Sequence, residues 1–287
     1  SSVGAVALSS MLQASPAPGA AARLPARAKA CIFLCMEGGP SQMDTFDPKP
    51  KLNAMHLKSF TEENENLALA RRGNRRMIGS PFRFRPVGQS GIQMCEHFEH
   101  LAGVADDLCI YHGCQADAVD HPSALYHLNT GNRFGGDPAI GSWVNYGLGS
   151  ENENLPGYIV LSELAFPQGG SGNWSNGFLP AAYQGTPLRA SGTPILDLSP
   201  PAWKTRRHQR KNLDLLNQMN RRHQHQHPGH DDLDARIENY ELAFRMQAEV
   251  PGLLDLGQES QQTLSAYGLD NPKTESFGRR CLYARRM

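Results

Sequence analysis

Three short apolar runs, residues 31–36 (CIFLCM), 108–111 (LCIY) and 158–161 (YIVL), are separated by stretches of helical spacing, and this alternation restricts the fold more than anything else in the chain. Short continuous apolar runs bounded by turn residues suit strands buried on both faces of a sheet. Glu37, Gly38, Gly39 and Pro40 stop the first run abruptly. Helical spacing then appears at Phe98, Leu101, Ala102 and Ala105, over residues 121–128 and over residues 139–148. Asp120 is placed to cap the second of these helices, with Pro122 in its first turn and Thr130-Gly131 at its end. The order predicts an α/β domain with a mainly parallel sheet flanked by helices.

Other segments are less regular. Residues 51–77 are polar and read as helical or irregular, and residues 81–86 (PFRFRP) alternate as an edge strand would. Residues 162–201 are rich in Gly, Ser, Asn and Pro and read as a long loop insertion. Polar helices are expected over 203–220 and 231–249, joined by a link containing His223, His225, His227 and His230. A last helix begins near Lys273, with Phe277, Cys281 and Ala284 at helical spacing. Three core strands are few for 287 residues, and the pattern calls for another strand next. The sheet is therefore expected to be incomplete on its C-terminal side, in the manner of the N-terminal portion of a longer protein.

Composition sets outer limits. Lys+Arg and Asp+Glu both number 28, which gives no basic surface for nucleic acid and no polybasic membrane patch. Residues 1–29 are small, apolar and Ala-rich, then Pro-rich, like the remnant of an export signal, so a periplasmic or extracellular location is expected. The alternative is a flexible leader without an address. The apolar part is too short to span a bilayer, and no other segment qualifies as a transmembrane helix. Residues 30–287 form the folded portion. None of the six cysteines makes a Cys-x-x-Cys pair. Cys31, Cys35 and Cys109 lie in apolar runs and read as small buried hydrophobes. In an oxidising compartment Cys109 or Cys114 could instead bridge to another cysteine.

Two clusters could carry chemistry. Glu37, Asp44 and Asp47 follow the first apolar run, and His112, Asp117, Asp120 and His121 surround the end of the second. In open α/β sheets ligands collect at the carboxyl ends of strands, and mixed carboxylate and imidazole donors suit a divalent cation. The competing reading is structural: Asp44 and Asp47 as turn caps, Asp120 as a helix cap and His121 facing solvent. The histidine run could chelate a metal adventitiously but reads better as a solvated link. No phosphate-binding Gly-x-x-x-x-Gly-Lys-Ser/Thr occurs.

Five stretches together carry a resemblance: residues 33–50 (FLCMEGGPSQMDTFDPKP), 78–92 (IGSPFRFRPVGQSGI), 121–131 (HPSALYHLNTG), 140–161 (IGSWVNYGLGSENENLPGYIVL) and 240–247 (YELAFRMQ). They resemble domain-of-unknown-function family 1501, bacterial proteins that typically carry an export signal and are similar to sulfatases and alkaline phosphatases. The resemblance implies an alkaline-phosphatase-like fold and a metal-dependent sulfate or phosphate ester hydrolase. Its substrate would be a small-molecule or polysaccharide ester. It implies a divalent cation, zinc, calcium or manganese, with Glu37, Asp44, Asp117 and His121 among the ligands and the remaining ligands beyond residue 287. His121 stands at about the sulfatase nucleophile position, where neither Cys nor Ser is present, and the Arg that follows in sulfatases is missing. Gln115 stands where a His is expected and Asp120 where Asn is usual. The chain as given is expected to be inactive, and the missing nucleophile favours the alternative, a non-catalytic exported binding protein that kept the fold.

Overall fold

The computed structural model describes residues 27–60, 75–162, 167–189, 194–195, 198 and 200–287. The export-like leader up to residue 26, much of the polar stretch 51–77 and parts of the loop 162–201 lie outside them. The chain divides into two compact units, Cys35–Gln115 and Ala116–Met287, the latter together with the residues up to Leu34.

In the Cys35–Gln115 unit, α1 (Gln42–Thr45) and α2 (Pro50–Ala54) are single turns, the second begun by a proline whose missing N–H costs nothing there. β1 (Ser59–Phe60) pairs antiparallel with β2 (Arg75–Arg76). β3 (Phe84–Val87) and β4 (Ile92–Cys95) form a hairpin in register Phe84↔Cys95 to Val87↔Ile92, the edge alternation expected at residues 81–86 displaced slightly downstream. The turn between them hands two backbone N–H groups, of Gln89 and Ser90, to the Asp106 carboxylate at 2.9 Å each. Those bonds hold the Asp106 carboxyl below its ordinary range. Met94 and Cys95 turn inward and are buried, and Phe46 packs on Phe98 with ring centroids 4.8 Å apart. Helix α3 (Glu99–Ala102) is shorter than its apolar spacing predicts.

The larger unit opens with α4 (His121–Thr130), which the sequence places closely. Asp120 Oδ2 accepts from Ser123 N at 3.2 Å, Pro122 sits in the first turn, and Gly131 ends the helix at φ 83°, a left-handed value that glycine adopts without strain. Helix α5 (Ile140–Leu148) buries Ser142 completely, its hydroxyl donating to Ser175 O at 3.0 Å. β5 (Ile159–Leu161) pairs parallel with β6 (Thr186–Leu188). The Gly/Pro-rich stretch is thus partly built: it contributes β6 and the 3-10 turns Gly170–Trp174 and Ala181–Tyr183. Tyr158 fits against Gly141 and Gly185 because both lack a Cβ, and burial pushes its phenol up to about 12.

Helices α6 (Arg206–Gln226) and α7 (Asp231–Leu254) form an antiparallel hairpin, with Arg210 meeting Glu241 and Gln224 meeting Asp234. His223 and His225 lie inside α6 and His227 is its C-terminal cap, so the helix takes in most of the expected link. Leu155, Met246 and Val250 form a buried apolar cluster, packed by Ile159, Leu242 and Leu253. Helices α8 (Gln261–Ala266) and α9 (Glu275–Arg286) follow, and Leu282 of α9 is fully buried. Arg286 donates to Leu253 O and Gly252 O at 2.8 Å and pairs with Glu259, sealing the end of α7.

Three expectations are corrected. Residues 31–36 and 108–111 form no strand, and Ile32, Phe33, Leu34, Met36 and Tyr111 are exposed. The expected mainly parallel sheet is replaced, among the described residues, by three two-stranded sheets of which one is parallel. The molecule is mixed helix and short strand, which agrees with α/β only coarsely. The cysteines in the apolar runs are exposed rather than buried, and all six are free thiols. One physical reason covers the first two. Apolar periodicity reports which face a segment would bury but says nothing of a hydrogen-bonding neighbour, and without one an apolar run stays extended and open.

Two stability predictions follow from the larger unit. An alanine Cβ at residue 141 would lie 2.4 Å from the Tyr158 ring. Gly141→Ala should therefore lower unfolding free energy by about 1–3 kcal/mol in urea titration. Glu241 is held below the ordinary carboxylate range, chiefly by hydrogen bonds from Arg210, with Asn217 adding to them. A carboxylate depressed in the folded state stabilises at pH above its unfolded value, about 4.3, and that contribution disappears as pH falls through the folded value. Thermal melts from pH 6 downward should show a shallower acid-side loss in Glu241→Gln than in the parent.

Candidate functional site

The two sequence clusters fall partly together. In the Cys35–Gln115 unit, Asp47 follows the turn that ends α1, where Phe46 N and Asp47 N both donate to Gln42 O. Lys49 Nζ lies 2.7 Å from Asp47 Oδ2, and His112 Nδ1 lies 3.9 Å from Asp47 Oδ1. The hydrogen bond from Lys49 holds the Asp47 carboxyl below its usual range, and the charges of Lys49 and His112 act in the same direction. Residues from the first cluster and from the end of the second apolar run therefore share one small polar surface, with His112 about half exposed. Asp44 sits in the first turn of α1, and Glu37 lies just ahead of it in the chain, half-buried with a partner of its own.

The other predicted residues occupy the larger unit. Asp117 is exposed; its N–H donates to His127 Nδ1 at 3.4 Å and its carbonyl accepts from Arg133 at 3.2 Å. Asp120 is the cap of α4, held below the ordinary carboxylate range first by the Ser123 backbone N–H. His121 is exposed at the first position of the helix. Glu37 and Asp44 thus belong to one unit and Asp117 and His121 to the other. Among the described residues no three His, Cys, Asp or Glu side chains are grouped so that they could hold a metal ion.

The structure agrees with the structural reading of Asp120 and adds a residue that the motifs do not single out. Lys49 is the nearest partner of Asp47, and its signal in the sequence is only a basic residue two positions away. In the larger unit a cleft of about 390 Å³ is lined by Asn152, Asn154, Glu249, Gln258 and Arg286 among others, none of them a predicted site residue. Its cation, Arg286, is already taken by Glu259 and by two main-chain carbonyls.

A family model described as a protein of unknown function (DUF1501) matches residues 28–287, nearly the whole chain. The chain belongs to this family. The match agrees with the five resembling stretches, which run from Phe33 to Gln247. No curated protein and no solved structure matches the chain. No helix among the described residues of this DUF1501 member is long and apolar enough to cross a membrane.

The Asp47 arrangement is open to a direct test. Lys49→Ala removes the main cause of the depressed carboxyl, so Asp47 should titrate at higher pH in the variant. Carboxyl carbon NMR across pH 2–6, assigned through Asp47→Asn, reads this; an unmoved titration would mean that Lys49 does not hold Asp47 in solution.

Proposed function

We propose that this DUF1501 protein is an exported member of a sulfatase-like hydrolase lineage, acting on a sulfate or phosphate monoester. The observation that carries the reading is α4. The segment HPSALYHLNTG, which resembles the sulfatase nucleophile helix, forms a capped helix with His121 exposed at its first turn. The N-terminal end of a helix favours a negatively charged group, as an ester sulfate or phosphate would be. The Asp120 carboxylate already takes the Ser123 N–H and Pro122 has none, so of the first-turn donors the His121 N–H is the one left for an anion.

A divalent cation, zinc, calcium or manganese, would polarise the ester oxygen when bound. Glu37, Asp44, Asp117 and His121 are the residues the reading assigns to it. The described residues do not gather such a donor set, so no step is derived through a metal. A second reading is favoured by the residue at the nucleophile position. His121 replaces the Cys or Ser a sulfatase needs, which fits an exported binding protein that has lost the chemistry.

Elemental analysis of a full-length member of the family, with its variants equivalent to Asp44→Ala and His121→Ala beside it, separates the two. The hydrolase reading expects stoichiometric zinc, calcium or manganese in the parent and about tenfold less in each variant, together with turnover of a sulfate or phosphate monoester. A metal-free parent without turnover would establish the binding-protein reading.

A further inference from the structure

Two segments of the larger unit carry no Asp, Glu, Lys, Arg or His at all: residues 138–150, which contain α5, and residues 167–188, which contain both 3-10 turns and β6. In a chain that is 20% charged, the two segments themselves contribute no charged side chain, and the charge nearest the Ala181–Tyr183 turn comes from α7, which packs against it. Four aromatic rings from these two segments form a continuous edge-to-face row. Phe178 meets Trp143 with centroids 5.6 Å apart, Trp143 meets Tyr146 at 6.3 Å, and Tyr146 meets Tyr183 at 5.2 Å. Interplanar angles of 71°, 76° and 86° turn successive rings across one another. Phe178 is 70% exposed and Tyr146 is 49% exposed, while Trp143 and Tyr183 are half-buried. Leu148 extends the apolar surface at the end of α5 and is also exposed.

The row is held rigidly. Ser175 O accepts from Ala139 N at 2.8 Å and from Ser142 Oγ at 3.0 Å, which pins the Phe178 segment to the start of α5. Gln184 Oε1 accepts from Asn176 N at 3.0 Å, which pins the Tyr183 turn to the same segment. A preformed aromatic surface loses little conformational freedom when a ligand arrives.

We propose that this row is a binding platform for a neutral oligosaccharide. The chemistry selects the ligand. Phe178 and Tyr146 are exposed, and the negative π density of such rings attracts the slightly positive C–H groups of a pyranose ring. The Tyr146 and Tyr183 hydroxyls can donate to and accept from sugar hydroxyls. The two segments supply no cation for a sulfate, a phosphate or nucleic acid, and no anion for a basic peptide. The row joins two elements of one rigid patch, and a linear glycan offers alternating faces along its length to such a row. The row contains none of the residues assigned to the hydrolase reading, and the inference does not depend on that reading.

The test is affinity electrophoresis in native gels containing a soluble neutral glucan, mannan or xylan, with dextran sulfate as the anionic control. The parent should be retarded by at least one neutral polysaccharide in preference to dextran sulfate. Tyr146→Ala and Phe178→Ala should each weaken that binding by about tenfold, with unchanged circular dichroism. Tyr146→Phe keeps the ring and should stay within a few-fold of the parent. Failure of all three neutral polysaccharides to retard the parent would overturn the proposal, as would retardation that the alanine variants do not reduce. Size-exclusion chromatography supplies the other overturning result: a parent dimer that the same two variants dissociate would make the row a contact between copies of this chain.

Discussion

The carbonyl of Ser175 receives both the N–H of Ala139 and the hydroxyl of the fully buried Ser142. A segment as rich in glycine as residues 167–185 loses much chain entropy on ordering and has few large side chains to bury in return. Hydrogen bonds from outside supply the compensation. Tyr126 donates to Gly169 O at 2.5 Å, and Asn129 of the same helix donates to Asn173 Oδ1 at 3.3 Å. Asn173 itself is buried and ties Gln168 O and Gly170 O together. Once this stretch is fixed from α4 and α5, β6 lies where β5 can pair with it, and Gly185 lies where Tyr158 needs a neighbour without a side chain.

What could be read from the sequence follows from the range of each signal. Helix α4 was legible almost to the residue because Asp120, Pro122 and Gly131 act within one turn of where they stand. Helices α5, α6, α7 and α9 are legible as periodic stretches, with ends off by a few residues; α6 runs on through His223 and His225, into the expected link. The strand at Ile159–Leu161 was legible too, and it is the one apolar run of the three that finds a partner. Residues 31–36 and 108–111 have the same composition but no ladder among the described residues, and pairing is a non-local property that composition does not encode.

The candidate site divides in the same way. Asp120 as a cap is a local matter and was readable. The approach of His112 to Asp47 joins residues far apart in the chain; shared position at strand ends suggested it, although the strands that motivated the suggestion are not formed. Phe178 and Tyr183 gave no periodic signal, since they sit in irregular backbone. Their mark in the sequence is subtler: aromatic residues within a long interval that lacks charge.

The seal on α7 has a consequence in time. The last carbonyls of that helix, at Gly252 and Leu253, are satisfied by Arg286, which follows them by 34 and 33 residues. Pro251 lies in the final turn, and that turn is completed by a guanidinium that emerges from the ribosome only after α8 and most of α9 have been made. During synthesis the C-terminal end of α7 therefore stays frayed and hydrated until Arg286 is available, and the Leu155–Met246–Val250 cluster beside it closes correspondingly late.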